Sequence, residues 1–98
     1  MFMRVHRNGA ETVVALCDDG LIGKILTDGK IHIDLQRFGS FYNDRKVEKQ
    51  TALEALKEAT SVNAVGEEAV AAVKSAFGVN EEAIIRVAGV PHIQIYKL

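Results

Sequence analysis

Phe2-Met3-Arg4-Val5-His6-Arg7-Asn8-Gly9-Ala10-Glu11-Thr12-Val13-Val14-Ala15-Leu16-Cys17 is the stretch that decides the fold. Met3 and Val5 alternate with Arg4 and His6, the period-two pattern of a strand with one buried side. Asn8-Gly9 supplies the positive φ of a tight hairpin turn. Residues 12–17 then return as a second strand. Val13, Val14 and Leu16 occupy both phases, which predicts that this strand is covered on both faces. An antiparallel hairpin of residues 2–7 and 12–17 therefore starts a sheet.

Outward from the hairpin, Asp18-Asp19-Gly20 breaks the strand. The run Leu21–Leu26 is short, and a single helical turn is the expectation there. Thr27-Asp28-Gly29 is a turn signal. Ile31, Ile33 and Leu35 then alternate with His32, Asp34 and Gln36 as a half-buried strand. Ala52, Leu53, Leu56 and Ala59 fall at helical spacing. Thr51 and Glu54 suit a capping box, Asp44 suits an earlier start, and this helix should end near Thr60-Ser61. A second helix is expected from Asn63, whose side chain would cap its first turn. Val65, Ala69, Ala72, Val73 and Ala76 would be its buried stripe, and Gly78 its terminator. Residues 84–88 and the alternation around Ile93 and Ile95 read as strands on either side of a corner at Pro91. The expected fold is α+β, a single domain over residues 1–98. It has a small mixed or antiparallel sheet of about five strands, with two helices packed on one face.

The chain has 98 residues, 48% hydrophobic and 26% charged, as in an ordinary globular protein. A net charge of −1 supplies no global attraction to nucleic acid, so any such site must be a local patch. The single Cys17 excludes an internal disulfide and suits a reducing, cytoplasmic setting. No apolar run is long enough to span a membrane, and residues 1–6 lack the apolar block of a signal peptide.

Four features bear on chemistry. Phe38, Phe41 and Tyr42 cluster in one loop with Arg37, Arg45, Lys46 and Lys49 nearby. Aromatic faces stack on bases and cations neutralise phosphates, so this loop leans toward RNA. The competing reading has Phe38 and Phe41 anchoring the connection, with Tyr42 left outside. His6, His32 and His92 all fall at the polar phase of strands, which reads as a solvated face. No pair has short ligand spacing, so no metal or other cofactor is expected. Cys17, before Asp18-Asp19, is either a reactive thiol or a buried strand end, and burial is the commoner fate of cysteine. Gly23-Lys24 and Asn63-Ala64-Val65-Gly66 suggest anion binding, yet no complete phosphate-loop pattern is present.

Three stretches carry a resemblance. They are Cys17-Asp18 with Leu21-x-Gly23-Lys24, then Ala59–Glu67, then Ile85-Arg86-Val87-Ala88-Gly89-Val90-Pro91-His92-x-Gln94. Together they are similar to an archaeal family of small uncharacterised proteins, domain of unknown function 424, over nearly the whole chain. Phe41-Tyr42 also matches a Phe-Tyr pair of that family, with Asn43-Asp44 standing where glycines are expected. The resemblance implies no established activity. It implies a cytoplasmic role near RNA or the translation machinery. It also directs attention to Cys17, Asp18, Lys24, Ser61, Asn63, Glu67, Arg86, His92 and Gln94.

The leading expectation is a non-catalytic RNA- or translation-associated binding module that uses Lys24, Arg37, Tyr42, Arg45 and Lys46. One alternative is an enzyme or metal-dependent module built on Cys17, Asp18, Asn63 and His92. Another is a protein-interaction or homodimer subunit using an exposed sheet edge. Whether Cys17, Lys24, Asn63 and His92 converge in space separates these readings.

Overall fold

The alternation in residues 2–17 produces the hairpin it predicts. In the computed structural model, which describes residues 1–97, β1 (Phe2–Asn8) pairs antiparallel with β2 (Glu11–Cys17), Met3 opposite Leu16. Gly9 and Ala10 form the connection, and Gly9 alone takes the positive φ, 62°. A two-residue hairpin loop with glycine first needs that backbone.

The remaining elements are β3 (Ile25–Asp28), β4 (Ile31–Asp34), β5 (Arg45–Lys46), α1 (Lys49–Lys57), β6 (Ser61–Val65), α2 (Glu67–Phe77), β7 (Ile85–Val87) and β8 (Val90–Tyr96). Six strands make one sheet in the order β5-β1-β2-β6-β8-β7. β2 and β6 run parallel and the other neighbours antiparallel, so the sheet is mixed. A parallel pair needs a long connection, and residues 18–60 provide one. That connection contains a separate two-stranded sheet, β3 against β4.

Both helices lie on one side of the sheet, as the one-sided alternation requires. Ala52 and Leu56 of α1 and Ala69, Ala72 and Val73 of α2 pack on Met3, Val14, Leu16, Ala64 and Ile93. Leu56 is fully buried there, and truncating such a leucine to alanine costs about 2–5 kcal/mol. The other face carries a second apolar cluster. Leu26, Leu35 and Tyr42 come down from the β3–β4 hairpin and the loop after it, onto Ala15, Cys17, Val65 and Val87. β2 is therefore covered on both faces, as its two-phase apolar pattern predicts.

Three local expectations need correction. The helical turn expected over Leu21–Leu26 lies at Asp19–Leu21 instead, and Ile25–Asp28 forms a strand, because it can pair with Ile31–Asp34 across a tight turn. α1 starts at Lys49 with Glu48 extended before it and no side-chain cap, so the Thr51–Glu54 box does not form. Asn63 lies inside β6 and caps nothing.

The cap of α2 comes from elsewhere in the chain. Gly66 occupies the capping position, with φ 112° and no side chain to offer. Asp18, directly after β2, supplies the carboxylate. Its Oδ1 accepts from the Ala69 amide at 2.8 Å and its Oδ2 from the Glu68 amide at 3.1 Å. A negative charge there also faces the positive end of the helix dipole. The Asp18 amide donates to the Val65 carbonyl at 3.1 Å, and the Gly66 amide to the Pro91 carbonyl at 2.9 Å. Four elements thus meet at one point. A Cβ at residue 66 would lie 2.2 Å from Asp18 Cγ, so only glycine lets the carboxylate this close.

Two substitutions test this contact. Asp18→Ala should lower stability by about 1–2 kcal/mol, the loss of a good helix cap. Gly66→Ala should cost about 1–3 kcal/mol for the backbone alone, and more for the collision with Asp18. The double variant should be less destabilised than the sum of the singles, because removing the carboxylate removes what the new methyl strikes. Urea denaturation of the four proteins measures this, and strict additivity would show that the two residues do not share the contact.

Candidate functional site

The sheet register arranges the face opposite the helices in three rows. His6, Val13, Ser61 and Tyr96 form the first, and Arg4, Ala15, Asn63 and Gln94 the second. Lys46, Phe2, Cys17, Val65, His92 and Ile85 form the third.

The loop after β4 crosses these rows and is fixed to them by polar contacts. Arg4 Nη1 donates to the Ser40 carbonyl at 2.9 Å. His6 Nε2 donates to the Phe41 carbonyl at 2.8 Å, and the Phe41 ring stacks on the imidazole at 4.4 Å between centroids. The Tyr42 hydroxyl donates to Asn63 Oδ1 at 2.7 Å. A loop held by three such contacts is positioned by the sheet itself.

This reverses the expected roles of the aromatics. Tyr42 is 6% exposed and part of the second core, so it is no stacking platform; Phe38, expected inside, is 57% exposed. The reason is the hydroxyl. Asn63 offers it a partner at the edge of the core, whereas Phe38 would gain only apolar contact there. Arg37 lies over the exposed Phe38 ring, 5.3 Å from its centroid. Arg45 and Lys46 do not join this group. They sit on the edge strand β5, where alternation points them to opposite faces, and Lys46 pairs with Asp19 at 3.0 Å.

Two hollows open beside the crossing loop. A groove of about 500 Å³ is lined by Val13, Phe41, Ser61, Asn63, Gln94 and Tyr96, with the Glu11 carboxylate and Lys97 at its edge. Tyr96 is 76% exposed at its rim. A smaller cavity of about 190 Å³ is lined by His32, Asp34, Phe38, Tyr42, Asn63 and His92. Asn63 lines both. The spacing of residues gave no sign of this, because Phe41 arrives from a loop and Tyr96 from the last strand.

His92 Nδ1 lies 2.9 Å from the Ala64 carbonyl. A carbonyl only accepts, so Nδ1 carries the proton and Nε2 is left as the ring's acceptor. Burial holds the His92 pKa below its ordinary value, with the Ala64 hydrogen bond acting in the opposite direction. The ring is therefore neutral at pH 7.

Cys17 has no exposed surface. Burial, then the charges of Asp18 and Asp19, push its thiol up to about 12. The thiol is therefore protonated at neutral pH. Among the described residues no three His, Cys, Asp or Glu side chains gather closely enough to hold a metal.

The residues singled out by sequence thus divide. Asp18, Lys24 and Glu67 border a hollow of about 280 Å³ at the start of α2. Arg86 bridges there from Glu67, at 3.2 Å, to the Gly89 carbonyl, at 3.1 Å. Both charged partners are exposed, so the pair is worth at most about 1 kcal/mol. Ser61, Asn63, His92 and Gln94 lie on the open face. Cys17 is buried beneath the β3–β4 hairpin, and Lys24 does not meet Asn63 or His92.

Comparison with known proteins agrees with the fold. The model of the family described as "Protein of unknown function (DUF424)" matches residues 6–98, and the chain belongs to that family. A solved structure, described as an uncharacterized conserved protein from Methanopyrus kandleri, is similar at 30% identity and a TM-score of 0.82. The similarity covers 99% of this chain and 90% of that one. None of the curated proteins matches. No helix among the described residues is long and apolar enough to cross a membrane.

The local geometry makes two stability predictions. Tyr42→Phe should cost about 1 kcal/mol, because it removes one hydrogen bond and leaves the ring packed. For His92 the folded pKa is lowered, so the unfolded chain takes up the proton first. Its contribution is then intact above about pH 6.5 and declines as pH falls from there toward the folded value. Urea midpoints at pH 7.5 and pH 5 should therefore drop more in the wild type than in His92→Gln; equal drops would show that His92 does not titrate this way.

Proposed function

We propose that this member of the family binds single-stranded RNA across the open face of its sheet. The observation that carries the reading is that Phe41 and Tyr96 border one groove whose lining includes Ser61, Asn63 and Gln94. Sequence order separates these residues, and the register brings them together. Single-stranded RNA is recognised by stacking unpaired bases on aromatic rings and by hydrogen bonds to their edges. The groove offers both, aromatic faces at its borders and amide side chains within it. Arg37 over Phe38 extends the track at the other end of the loop.

In this reading the contact residues shift from those expected. Arg37 stays and Phe38 takes the part given to Tyr42. Lys24, Arg45 and Lys46 lie away from the groove and act at most on distant phosphates. The net charge of −1 means that only local cations such as Arg37 attract the backbone, so affinity is modest and its salt dependence shallow, roughly 0.7 in log–log slope for each phosphate contact. The family resemblance favours RNA of the translation machinery as the setting.

Binding of short single-stranded RNA at low salt, followed by fluorescence anisotropy, tests the proposal. Tyr96→Ala should weaken binding by about 1–3 kcal/mol and leave the salt slope unchanged, since stacking releases few ions. Arg37→Ala should instead reduce the log–log salt slope by roughly 0.7. Tyr96 is so exposed that its loss should not unfold the protein, which circular dichroism checks. No binding by the wild type, or wild-type affinity in Tyr96→Ala, would refute the reading.

A further inference from the structure

The smaller cavity adds a contact to one position of the strand that the groove lacks. We propose that it holds one unstacked nucleobase by its Watson–Crick edge, with His92 Nε2 accepting, the Asn63 side-chain amide donating and Phe38 against the ring. The inference rests on the RNA reading and deepens it by assigning the residues that touch one base.

Two hydrogen bonds fix the polarity of this site. His92 spends its Nδ1 proton on the Ala64 carbonyl, which leaves Nε2 as an acceptor. Asn63 Oδ1 takes the Tyr42 hydroxyl proton, which orients the amide and leaves its NH2 group as a donor. Both residues line the same cavity. Asn63 pairs across the strands with Gln94, and His92 lies two residues before Gln94, so Asn63 and His92 are diagonal neighbours. Diagonal partners are roughly 7–8 Å apart along the backbone, within reach of one another's side chains, so an acceptor and a donor can meet neighbouring atoms on one edge of a ring.

The Watson–Crick edge of every base presents a donor next to an acceptor, which is the complement of this pair. The cavity's size supports one base. Its volume of about 190 Å³ is below the ~300 Å³ at which pockets for drug-sized ligands begin. Phe38 lines it and is also among the most exposed apolar side chains of the protein. Stacking on a base would use that surface, and Arg37 above the ring places a cation near the adjoining phosphate.

The test uses the intact protein and oligouridines of about eight nucleotides, within the usual span of a small single-strand site. Each position in turn is made abasic or replaced by N3-methyluridine, which blocks the edge donor and keeps the ring. One position should respond to either change with a loss of roughly tenfold, while the others respond weakly. His92→Gln retains an acceptor and should keep that position dependence, and His92→Leu should abolish it. Comparison of the two variants reports the loss of a polar acceptor at this position. Independently, the 15N resonance of His92 Nε2 should shift when RNA or free uridine is added. If RNA binds but every position behaves alike and Nε2 does not move, the base pocket is wrong and the groove reading survives. If RNA does not bind, the groove reading falls. The pocket then stands only if millimolar uridine shifts His92 Nε2, and is overturned if it does not.

Discussion

The carboxylate of Asp18 on the first turn of α2 is the contact on which the arrangement depends. It joins the end of β2 to a helix that starts 50 positions later in the chain. Through neighbouring amides the same point binds Val65 and Pro91, and so the ends of β6 and β8. The first amides of a helix need acceptors wherever the helix lies. When the acceptor belongs to another strand, satisfying them also fixes the helix against the sheet. The glycine at residue 66 is the counterpart of this choice, since a side chain there would occupy the space the carboxylate needs.

From that anchor the two faces of the sheet take different parts. The helical face is sealed with apolar side chains. On the opposite face, the β3–β4 hairpin covers one end and the aromatic loop crosses the middle. The part-buried imidazoles and amide there have local partners, His6 with Phe41, Asn63 with Tyr42, His92 with Ala64. Among the described residues no buried side-chain nitrogen or oxygen is left without a hydrogen bond. Satisfied in this way, the polar groups are held in fixed orientations, which a recognition surface requires.

Elements whose burial is periodic were legible in the sequence. The hairpin of β1 and β2, both helices on one face and the last two strands follow from alternation at period two or 3.6. Elements set by distant partners were not. Asn63 resembles a helix cap by type and position, but the cap is Asp18, and no local pattern records a bond across 50 residues. Ile25–Asp28 is too short to show a period and becomes a strand only because Ile31–Asp34 lies beside it. Of the candidate site, His92 was legible from the polar phase of its strand and again, with Asn63 and Gln94, from the family resemblance, and Arg37 from composition. The exchange of Phe38 and Tyr42 turns on one hydroxyl meeting one amide. The groove between Phe41 and Tyr96 exists only once strand order is known.

The parallel pairing of β2 with β6 carries a consequence for how the molecule can vary. Closing residues 18–60 between those strands costs conformational entropy, on the order of 3 kcal/mol for a flexible loop of that length. Each doubling of the loop would add only about 0.6 kcal/mol. The scaffold is thus nearly indifferent to the length of the segment that roofs its open face. The floor residues Asn63, Gln94 and His92 belong to the sheet and move with its register, whereas Phe38 and Phe41 belong to the roof. Insertions at the β3–β4 tip can widen or close the space above a constant floor at little thermodynamic penalty. Related chains can therefore diverge in what they admit while folding alike.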